Sequence, residues 1–465
     1  MNQKKVAIIG GGVIGGGWLA RFLLNGWDVN LHDPDPEAER KISEVLANAR
    51  HALPMLYEMA LPAEGRLNHC ATLEKAVRGV AYIQESVPER LDLKQKVFAD
   101  IQAHCPAEAV LASSTSGFKP SELQQGSQRP EQIMVCHPFN PVYLLPLVEL
   151  VPSKATQAAQ IARAKDILTS VGFYPLHVQK EIDAHIADRL LEAVWREGLW
   201  LIKDGIANTE EIDNAIRYGF GLRWAQMGLF ETYRIAGGEA GMAHFIAQFG
   251  PALKWPWTKL MDVPELTDDL INTIADQSDA QSGALSIRAL ERVRDNNLVA
   301  MMRALKQQDS AAGQLINAHE KSMRQLARPS QKMQTIQRNV PVDWTDYNGH
   351  MNESRYGQVF SDAADAVLTS LGMDEAYVSA GHSYFTVETN IKYLEETYAS
   401  EDIVVNTELL LAEGKKLKLA HQMKRVSDGA LLATCDQFLL HVSLETRSSC
   451  VPLNPVADAI RKLAQ

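Results

Sequence analysis

The sequence predicts three successive domains: an α/β domain with a doubly wound sheet, an all-α domain, and an α+β domain. Up to residue 183, short apolar runs alternate with segments of helical periodicity; over 184–326 strand patterns almost vanish; over 335–465 one long helix precedes a run of strands. Residues 327–334 form a short polar linker with a proline. The chain has 465 residues, and single cores stop growing at about 250–300.

Composition narrows the class of protein. A net charge of -11 argues against nucleic acid or an anionic membrane as the main partner. The five cysteines are scattered and form no Cys-x-x-Cys pair, which suits a reducing cytosol and predicts neither a metal site nor a disulfide framework. Glycines interrupt the N-terminal apolar run, and no stretch reaches the roughly 18 apolar residues of a membrane helix. We expect a cytoplasmic protein.

A glycine-rich turn joins the first predicted strand to the first predicted helix. Four apolar residues, 6–9, run into Gly-x-Gly-x-x-Gly. The first glycine permits a tight turn, the second lets the backbone approach a pyrophosphate, and the third lets the helix pack closely on the strand. The helix N-terminus favours phosphate. A turn without any ligand is the alternative. The predicted cofactor contacts are Gly10, Gly12, Val13, Ile14 and Gly15.

Asp33 supplies the second signal for a dinucleotide. It follows the predicted strand 28–32 and stands 18 residues past Gly15, where such folds place the carboxylate that binds a ribose 2′-hydroxyl. Pro34, Asp35 and Pro36 come next, and no arginine is placed to bind a 2′-phosphate. The pattern therefore predicts NAD rather than NADP.

The remaining elements follow from periodicity and from turn residues. In the first domain, strands are predicted at 80–85, 109–112, 133–137, 147–150 and 175–178, with an inserted helical segment at 37–59 and 74–77. In the second, helices are predicted at 184–203, 208–218, 229–249, 266–277 and 286–308. In the third, strands are predicted at 334–342, 383–393, 403–412, 416–426 and 431–441, with helices at 354–371 and 455–463.

A serine, a histidine and a glutamate follow in the order that alcohol oxidation requires. Ser116 ends a Ser/Thr run, His137 begins a Pro/Asn-rich turn after a strand, and Glu149 lies in the next strand. Ligands of open α/β sheets bind at the carboxyl ends of strands. Histidine has a pKa suited to accepting the hydroxyl proton. Glu149 would then hold the tautomer of the ring, and Ser116 would hydrogen-bond the reacting oxygen. Each residue alone is more often structural.

Residues 1 to about 325 resemble the 3-hydroxyacyl-CoA dehydrogenase family. The resemblance is carried by the glycine turn with Asp33 and by four further motifs: Glu85-Ser-Val-Pro-Glu89, Ser113-Ser-Thr-Ser116, His137-Pro-Phe-Asn-Pro and Leu147-Val-Glu149. It implies a Rossmann domain that binds NAD, with His137 as catalytic base, Glu149 as its partner and Ser116 as a hydrogen-bond donor. It also implies that Glu89 lies at the cofactor, that Asn140 lies at the substrate, and that the helical domain forms a homodimer.

Two departures from the family point to another substrate. The usual Asn-Arg-Leu is Asp188-Arg-Leu here, so that an acid stands where an asparagine holds the substrate. The inserted segment has few basic residues for a CoA phosphate. Within the family this resembles the branch that oxidises L-carnitine, a trimethylammonium acid that aromatic and acidic side chains can bind. Plain core packing is the alternative for the helical domain's tryptophans, which are Trp195, Trp200, Trp224, Trp255 and Trp257.

Residues 335 to about 445 resemble the hot-dog fold thioesterases of the 4-hydroxybenzoyl-CoA thioesterase group. The motif is Asp346-Tyr-Asn-Gly349-His350-Met-Asn352 before a long helix, followed by the strand pattern of 387–394. The resemblance implies that Asp346 attacks the thioester or activates water, and that N–H groups near His350 to Asn352 polarise its carbonyl. A plain Asx turn that caps the helix is the alternative, and Glu353 could share the acid's role.

The two resemblances imply a bifunctional enzyme. It would oxidise L-carnitine to 3-dehydrocarnitine with NAD, and would hydrolyse an acyl-CoA thioester, betainyl-CoA, to glycine betaine and CoA. Two alternatives stay open: a 3-hydroxyacyl-CoA dehydrogenase fused to an acyl-CoA thioesterase, and a non-catalytic NAD-binding protein of crystallin type.

Overall fold

The fold is taken from a computed structural model that describes residues 4–236, 241–254, 256–259, 265–326 and 329–463. Two compact units make up the chain. The first comprises Met1–Leu19, Asp28–Ile42 and Leu67–Leu315, and the second comprises Ala20–Trp27, Ser43–Arg66 and Ile316–Gln465. Trp255 and residues 327–328 of the expected linker lie outside the described residues.

The first unit contains an eight-stranded sheet in the order β3-β2-β1-β4-β5-β6-β7-β8. Its central strands are buried on both faces, as expected for an α/β sheet with helices on either side. The strands are β1 (Lys5–Ile9), β2 (Asp28–His32), β3 (Leu67–His69), β4 (Tyr82–Glu85), β5 (Val110–Ser113), β6 (Ile133–Pro138), β7 (Leu147–Val151) and β8 (Tyr174–His177).

The strand order reverses at β1, where the chain crosses from β2 and β3 to β4. Ligands of such sheets bind at this switch point, outside the carboxyl ends of the strands. The sequence pattern did not predict β3, which has three mostly exposed residues and therefore no apolar run to reveal it. The helices of this part of the chain are α1 (Val13–Leu24), α2 (Ala38–Ala52), α3 (Leu73–Val77), α4 (Leu91–Gln102), α5 (Pro120–Leu123) and α6 (Ala158–Ser170).

One strand pair in this sheet is antiparallel. β6 and β7 run in opposite directions, whereas the other pairs of the sheet are parallel. In their register, His137 lies directly opposite Glu149. Side chains of residues directly opposite in an antiparallel pair have Cβ atoms roughly 4.5–5.5 Å apart. The register therefore brings the two side chains together although 11 residues separate them in the sequence.

Between residues 187 and 326 the described part of the chain contains helices joined by turns and no strand, as the sequence predicts for the second domain. The helix expected at 229–249 is found as two helices, α9 and α10, and residues 237–240 between them lie outside the described residues. The helices are α7 (Ala187–Lys203), α8 (Thr209–Ala215), α9 (Gly221–Ala236), α10 (Gly241–Phe249), α11 (Asp268–Ser282), α12 (Ile287–Gln307) and α13 (Ala312–Leu326).

The second unit contains a five-stranded antiparallel sheet in the order β10-β13-β12-β11-β9. Alternate side chains of β12 and β13 are buried, and the long helix α14 packs its apolar face on this side, with Val359, Phe360 and Ala363 in the core. This agrees with the expected α+β domain. The elements are β9 (Lys332–Asn339), α14 (Glu353–Ser370), α15 (Glu375–Ser379), β10 (His382–Tyr393), β11 (Asp402–Glu413), β12 (Lys416–Arg425), β13 (Leu431–Ser443) and α16 (Val456–Leu463).

Residues 43–66, which overlap the inserted segment predicted at 37–59, belong to this second unit and pack on its edge strand β9. Arg338 of β9 is buried; its guanidinium hydrogen-bonds Asp362 of α14 at 2.9 Å and also Glu58 of the inserted segment. The N–H of Ala60 donates to the carbonyl of Thr335 at 3.0 Å. A buried guanidinium is costly unless it is paired, so these contacts tie the inserted segment to the antiparallel sheet.

None of the helices in the described part of the chain is long and apolar enough to cross a membrane.

Candidate active sites

A cavity of about 920 Å³ opens at the switch point of the parallel sheet. It is lined by Gly10 and Gly12 of the glycine turn, by Asp33 after β2, and by Val87 and Pro88 after β4. These are the carboxyl ends of three adjacent strands. The cavity is large enough for a dinucleotide, since ligand pockets measure roughly 300–1,000 Å³.

The three glycines meet the separate demands that the sequence predicts. Gly10 has φ +96°, and a Cβ on it would lie 2.6 Å from the carbonyl oxygen of Ser86. A Cβ on Gly15, in the first turn of α1, would lie 1.8 Å from the carbonyl oxygen of Gly10. Gly12 has open space around the same position. A phosphate can therefore approach the backbone at Gly12 and at the exposed start of α1, where Val13 and Ile14 lie.

Asp33 lies beside the glycine turn. Its Oδ2 accepts a hydrogen bond from the N–H of Gly11, and its Oδ1 accepts one from the N–H of Asp35 at 2.7 Å. The nearby Lys41 forms a salt bridge of 2.6 Å with Asp35, and this exposed pair lines the same cavity. The carboxylate is thus held where it can accept hydrogen bonds from ribose hydroxyls. The glycine turn and Asp33 together fit NAD.

His137, Glu149 and Ser116 form one hydrogen-bonded chain. Nδ1 of His137 lies 3.1 Å from Oε2 of Glu149, and Nε2 lies 3.1 Å from Oγ of Ser116. His137 and Glu149 are both buried. With Nδ1–H donating to Glu149, Nε2 carries the lone pair that can accept a proton from a substrate hydroxyl. The structure thus brings together the three side chains that the sequence predicts.

Glu149 stays ionised in this buried position. Burial alone would raise its pKa, but hydrogen bonds from His137 and from the N–H groups of Ala187 and Ile186 outweigh burial and lower the pKa. Those two N–H groups lie at the start of α7 and donate to Oε1 at 2.9 and 2.8 Å. The carboxylate therefore both orients the imidazole and caps a helix, and the capping role has no signal in the sequence.

Asp188, in the first turn of α7, faces the same imidazole. Its Oδ2 lies 3.6 Å from Nε2 of His137, the ring nitrogen that does not face Glu149. Burial raises the pKa of Asp188, and Glu149 raises it further, while His137 lowers it. The site therefore presents a partly buried acid next to Nε2 of His137, and its role as a substrate ligand stays a prediction.

His185 is a site residue that the sequence analysis missed. It is fully buried, its ring centroid lies 5.5 Å from that of His137, and its Nε2 lies 3.2 Å from the carbonyl oxygen of Thr115. Burial lowers the pKa of its imidazole, which favours a neutral ring beside that of His137. A histidine two residues before a helix has no partner that a sequence pattern could reveal.

A buried ion pair supports the loop after β4. The Nζ of Lys94, on α4, lies 2.9 Å from Glu85 and 3.2 Å from Glu89. Burial raises the pKa of Glu85, while Lys94 and Ser113 lower it. Glu89 also accepts hydrogen bonds from the hydroxyl of Thr115 and the N–H of Gly117. The predicted contact Glu89 thus lies at the carboxyl ends of β4 and β5, and Lys94 was not predicted at all.

Asn140 lies two residues past the end of β6, in the turn that follows His137, and is exposed. This places it near the carboxyl end of the strand that carries the base. Its role as a substrate ligand stays a prediction.

The second predicted site is a turn between β9 and α14. Oδ1 of Asp346 accepts hydrogen bonds from the N–H groups of Asn348 and His350, at 2.8 and 3.3 Å. Gly349 has φ +81°, the left-handed conformation that favours glycine. Both hydrogen bonds converge on Oδ1, so the turn holds the carboxylate in place through one oxygen and leaves Oδ2 for chemistry.

The N–H groups near the start of α14 are mostly in use. Those of His350, Met351 and Asn352 donate to Asp346, Thr397 and Trp344 respectively. The side chain of Asn352 caps the helix by accepting from the N–H of Ser354 at 3.0 Å. Nε2 of His350 lies 3.4 Å from Glu396. Polarisation of a thioester carbonyl by the expected N–H groups therefore stays a prediction, and it requires one of these bonds to open.

Comparison with family models defines the class of each part. Residues 5–182 match the model for 3-hydroxyacyl-CoA dehydrogenase, NAD binding domain, and residues 185–268 match the C-terminal domain of the same enzyme class. Residues 340–462 match the thioesterase-like superfamily. These matches confirm the predicted fold classes and the NAD cofactor.

Relatives and a solved structure extend the comparison. A Ruegeria pomeroyi protein named L-carnitine dehydrogenase/betainyl-CoA thioesterase is 62% identical, over 100% of this chain and 96% of its own. A Mesorhizobium japonicum protein named L-carnitine dehydrogenase is 58% identical, over 71% of this chain and 91% of its own. A crystal structure of an NAD-dependent 5-formyl-3-hydroxy-2-methylpyridine 4-carboxylic acid 5-dehydrogenase, 24% identical, has a TM-score of 0.54 and covers 65% of this chain and 99% of that one. The chain belongs to the L-carnitine dehydrogenase/betainyl-CoA thioesterase family.

Proposed function

We propose that the chain oxidises L-carnitine to 3-dehydrocarnitine with NAD and hydrolyses betainyl-CoA to glycine betaine and CoA. The full-length identity of 62% to a relative named for both activities supports this proposal. The observation that carries it within the first site is Asp188, an acid 3.6 Å from the imidazole that takes the proton. We propose the cytoplasm as the place of both reactions.

The residues of the first site divide the oxidation between them. Bound NAD supplies the hydride acceptor. His137 accepts the hydroxyl proton at Nε2, and Ser116, 3.1 Å from that atom, hydrogen-bonds the same substrate oxygen. Glu149 stabilises the imidazolium that results, because its carboxylate is ionised and lies 3.1 Å from Nδ1. Proton transfer of this kind contributes roughly 10²–10⁴-fold to rate.

Asp188 explains why a trimethylammonium acid is preferred over an acyl-CoA. In L-carnitine the cationic group is one methylene from the carbon that bears the hydroxyl, so a hydroxyl on His137 brings the cation close to Asp188. A partly buried carboxylate attracts this cation more strongly than an exposed one does. A thioester carbonyl would instead meet an acceptor with no proton to donate, and the resulting unpaired contact is unfavourable.

Asp188→Asn tests this assignment. We expect the KM for L-carnitine to rise about 10–100-fold, the loss expected for one charged contact, with NAD binding unchanged. The reaction is followed by NADH absorbance with L-carnitine and with 3-hydroxybutyryl-CoA. The control is Asp183→Asn, an exposed acid that pairs with Lys119 at 3.0 Å. An unchanged KM would exclude Asp188 as the cation's partner, and turnover of only the CoA ester by the unaltered enzyme would refute carnitine oxidation.

In the second site we propose that Asp346 is the catalytic carboxylate. Its Oδ2 attacks the thioester carbonyl or activates a water molecule, and the N-terminus of the 18-residue helix α14 stabilises the developing oxyanion. The turn that holds Oδ1 keeps the carboxylate oriented for this reaction.

We further propose a homodimer formed through the helical region. Exposed apolar side chains mark protein–protein interaction sites where they form a patch. This region exposes large apolar side chains, among them Leu190, Leu191, Trp195, Tyr218, Phe230 and Ile246. Sedimentation velocity of the whole chain should give twice the chain mass. Trp195→Asp on α7 should shift the species towards one chain, whereas a monomeric unaltered protein would rule the proposal out.

A further inference from the structure

We propose that His382, His441 and Cys450 form a binding site for a zinc-type divalent cation. One donor atom from each of the three residues lies within 4.8 Å of the others. In the part of the chain that the structure describes, this is the single group of three or more such residues that meets this spacing. The site is unrelated to either proposed reaction and does not depend on them.

The three residues come together at one end of the antiparallel sheet. His382 is the first residue of β10, and His441 lies near the end of β13, which pairs with β10. Cys450 follows β13, and its N–H donates to the carbonyl of His441 at 3.0 Å. The other end of β10, at Tyr393, packs on α14 through Tyr356. A strand of twelve residues spans about 40 Å, so the cluster is remote from Asp346.

The spacing of the donor atoms suits tetrahedral zinc. Sγ of Cys450 lies 3.3 Å from Nδ1 of His441 and 3.9 Å from Nδ1 of His382. Zinc at its usual bond lengths, about 2.3 Å to sulfur and about 2.0 Å to nitrogen, separates such atoms by roughly 3.5 Å in a tetrahedron. The two imidazole rings are stacked at 5.5 Å between centroids, so one ring must turn for both nitrogens to bind the same ion. Two imidazoles and a thiolate are donors that zinc accepts and that magnesium and calcium do not.

The hydrogen-bond contacts of His441 are compatible with a metal ligand. Its ring is fully buried. Nε2 lies 2.9 Å from the hydroxyl of Tyr377, which also accepts the N–H of Leu453 at 2.9 Å. Such an outer contact orients a ligating imidazole. Without a cation, a proton on Nδ1 bonds the carbonyl of Cys450 at 3.0 Å, and the cation would replace this proton.

A buried hydroxyl without a partner lies at the same place. Oη of Tyr384 has no hydrogen-bond partner among the described residues, and the side chain is 6% exposed. Its ring packs edge-on against His441 at 5.1 Å between centroids. Buried polar groups are rarely unsatisfied, and a water molecule in the fourth coordination position would supply the missing partner.

The consequence of binding would be structural. Cys450 belongs to the segment that leads to α16, and Val456 and Ile460 of α16 pack in the core with Leu417 and Leu439 of the sheet. An ion held by β10, β13 and Cys450 would cross-link this segment to two strands. Ligands that bind only the folded state raise its stability.

Metal analysis of the whole chain tests the site. The protein is stripped with a chelator, loaded with zinc, dialysed and measured by mass spectrometry of the metal; cobalt loading is followed by absorption. We expect one equivalent of zinc per chain, a thiolate-to-cobalt charge-transfer band, and a melting temperature that rises with zinc. Cys450→Ala and His382→Ala should each lose the bound zinc, the charge-transfer band and the rise in melting temperature. The affinity of either variant for zinc should be lowered about 100-fold or more.

The matched control is Cys70→Ala, which removes another partly buried free cysteine and should leave all three measurements unchanged. Two variants are used because either one alone could fail to fold, which circular dichroism would reveal. The proposal is overturned if the unaltered chain retains no stoichiometric zinc after dialysis, or if folded Cys450→Ala retains it. Loss of zinc by Cys70→Ala alone would move the binding to another part of the chain.

Discussion

Replacing His137 with glutamine should lower kcat for L-carnitine oxidation by about 10³–10⁴-fold, near the upper range for loss of a general base. Glutamine can keep a hydrogen bond to Glu149, so the buried carboxylate, now 3.1 Å from Nδ1, still has a partner. NAD binding should be unchanged, because the residues that line the cofactor cavity do not include His137. The measurement is steady-state NADH formation together with NADH binding by fluorescence.

The control for this variant is His104→Gln, an exposed histidine that follows α4. A second variant, Glu149→Gln, separates positioning from proton transfer. It should lower kcat less than His137→Gln does and shift the pH profile, because the imidazole loses the charge that stabilises its protonated form. If His137→Gln retained more than about a tenth of kcat, a general-base role worth at least 10²-fold would be excluded.

The pairing of His137 with Glu149 shows how far the sequence could lead. Each residue was predicted from its motif, and His137 also from its place at a strand end. Their contact results from an antiparallel register within an otherwise parallel sheet, and periodicity within a strand cannot give the direction of its neighbour. The fold classes were predictable because the apolar periods are long and regular, as in α14 and in the four strands that follow it.

Buried polar partners were the residues that sequence reasoning missed. Lys94 on α4 reads as an ordinary charged residue of a helix, yet it is buried against Glu85. Arg338 likewise bonds Glu58, which is 280 residues away. Charged side chains are usually exposed, so a pattern that assigns them to the surface fails where tertiary pairing compensates the burial. The cluster of His382, His441 and Cys450 was missed because its spacing matches no short metal motif.

Replacing Asp346 with asparagine should lower the rate of betainyl-CoA hydrolysis by about 10³-fold or more, since the amide neither attacks a thioester nor takes a proton from water. Asparagine removes the carboxylate with the least change to the turn, because its amide oxygen can accept the hydrogen bonds that Asn348 and His350 donate to Oδ1. The turn and the start of α14 should therefore stay folded. Carnitine oxidation, measured on the same sample, should be unchanged.

The control for this second variant is Asp343→Asn, an exposed acid three residues earlier in a short 3₁₀ turn. Free CoA is measured with a thiol reagent, and circular dichroism checks the fold. Glu353→Gln tests whether Glu353, rather than Asp346, is the catalytic carboxylate. Glu353 is exposed at the first position of α14. Hydrolysis that survives Asp346→Asn but not Glu353→Gln would transfer the carboxylate's role to the helix, and would leave the Asp346 turn as a helix cap alone. Loss in Asp346→Asn with normal oxidation would instead establish that the chain contains two independent catalytic sites.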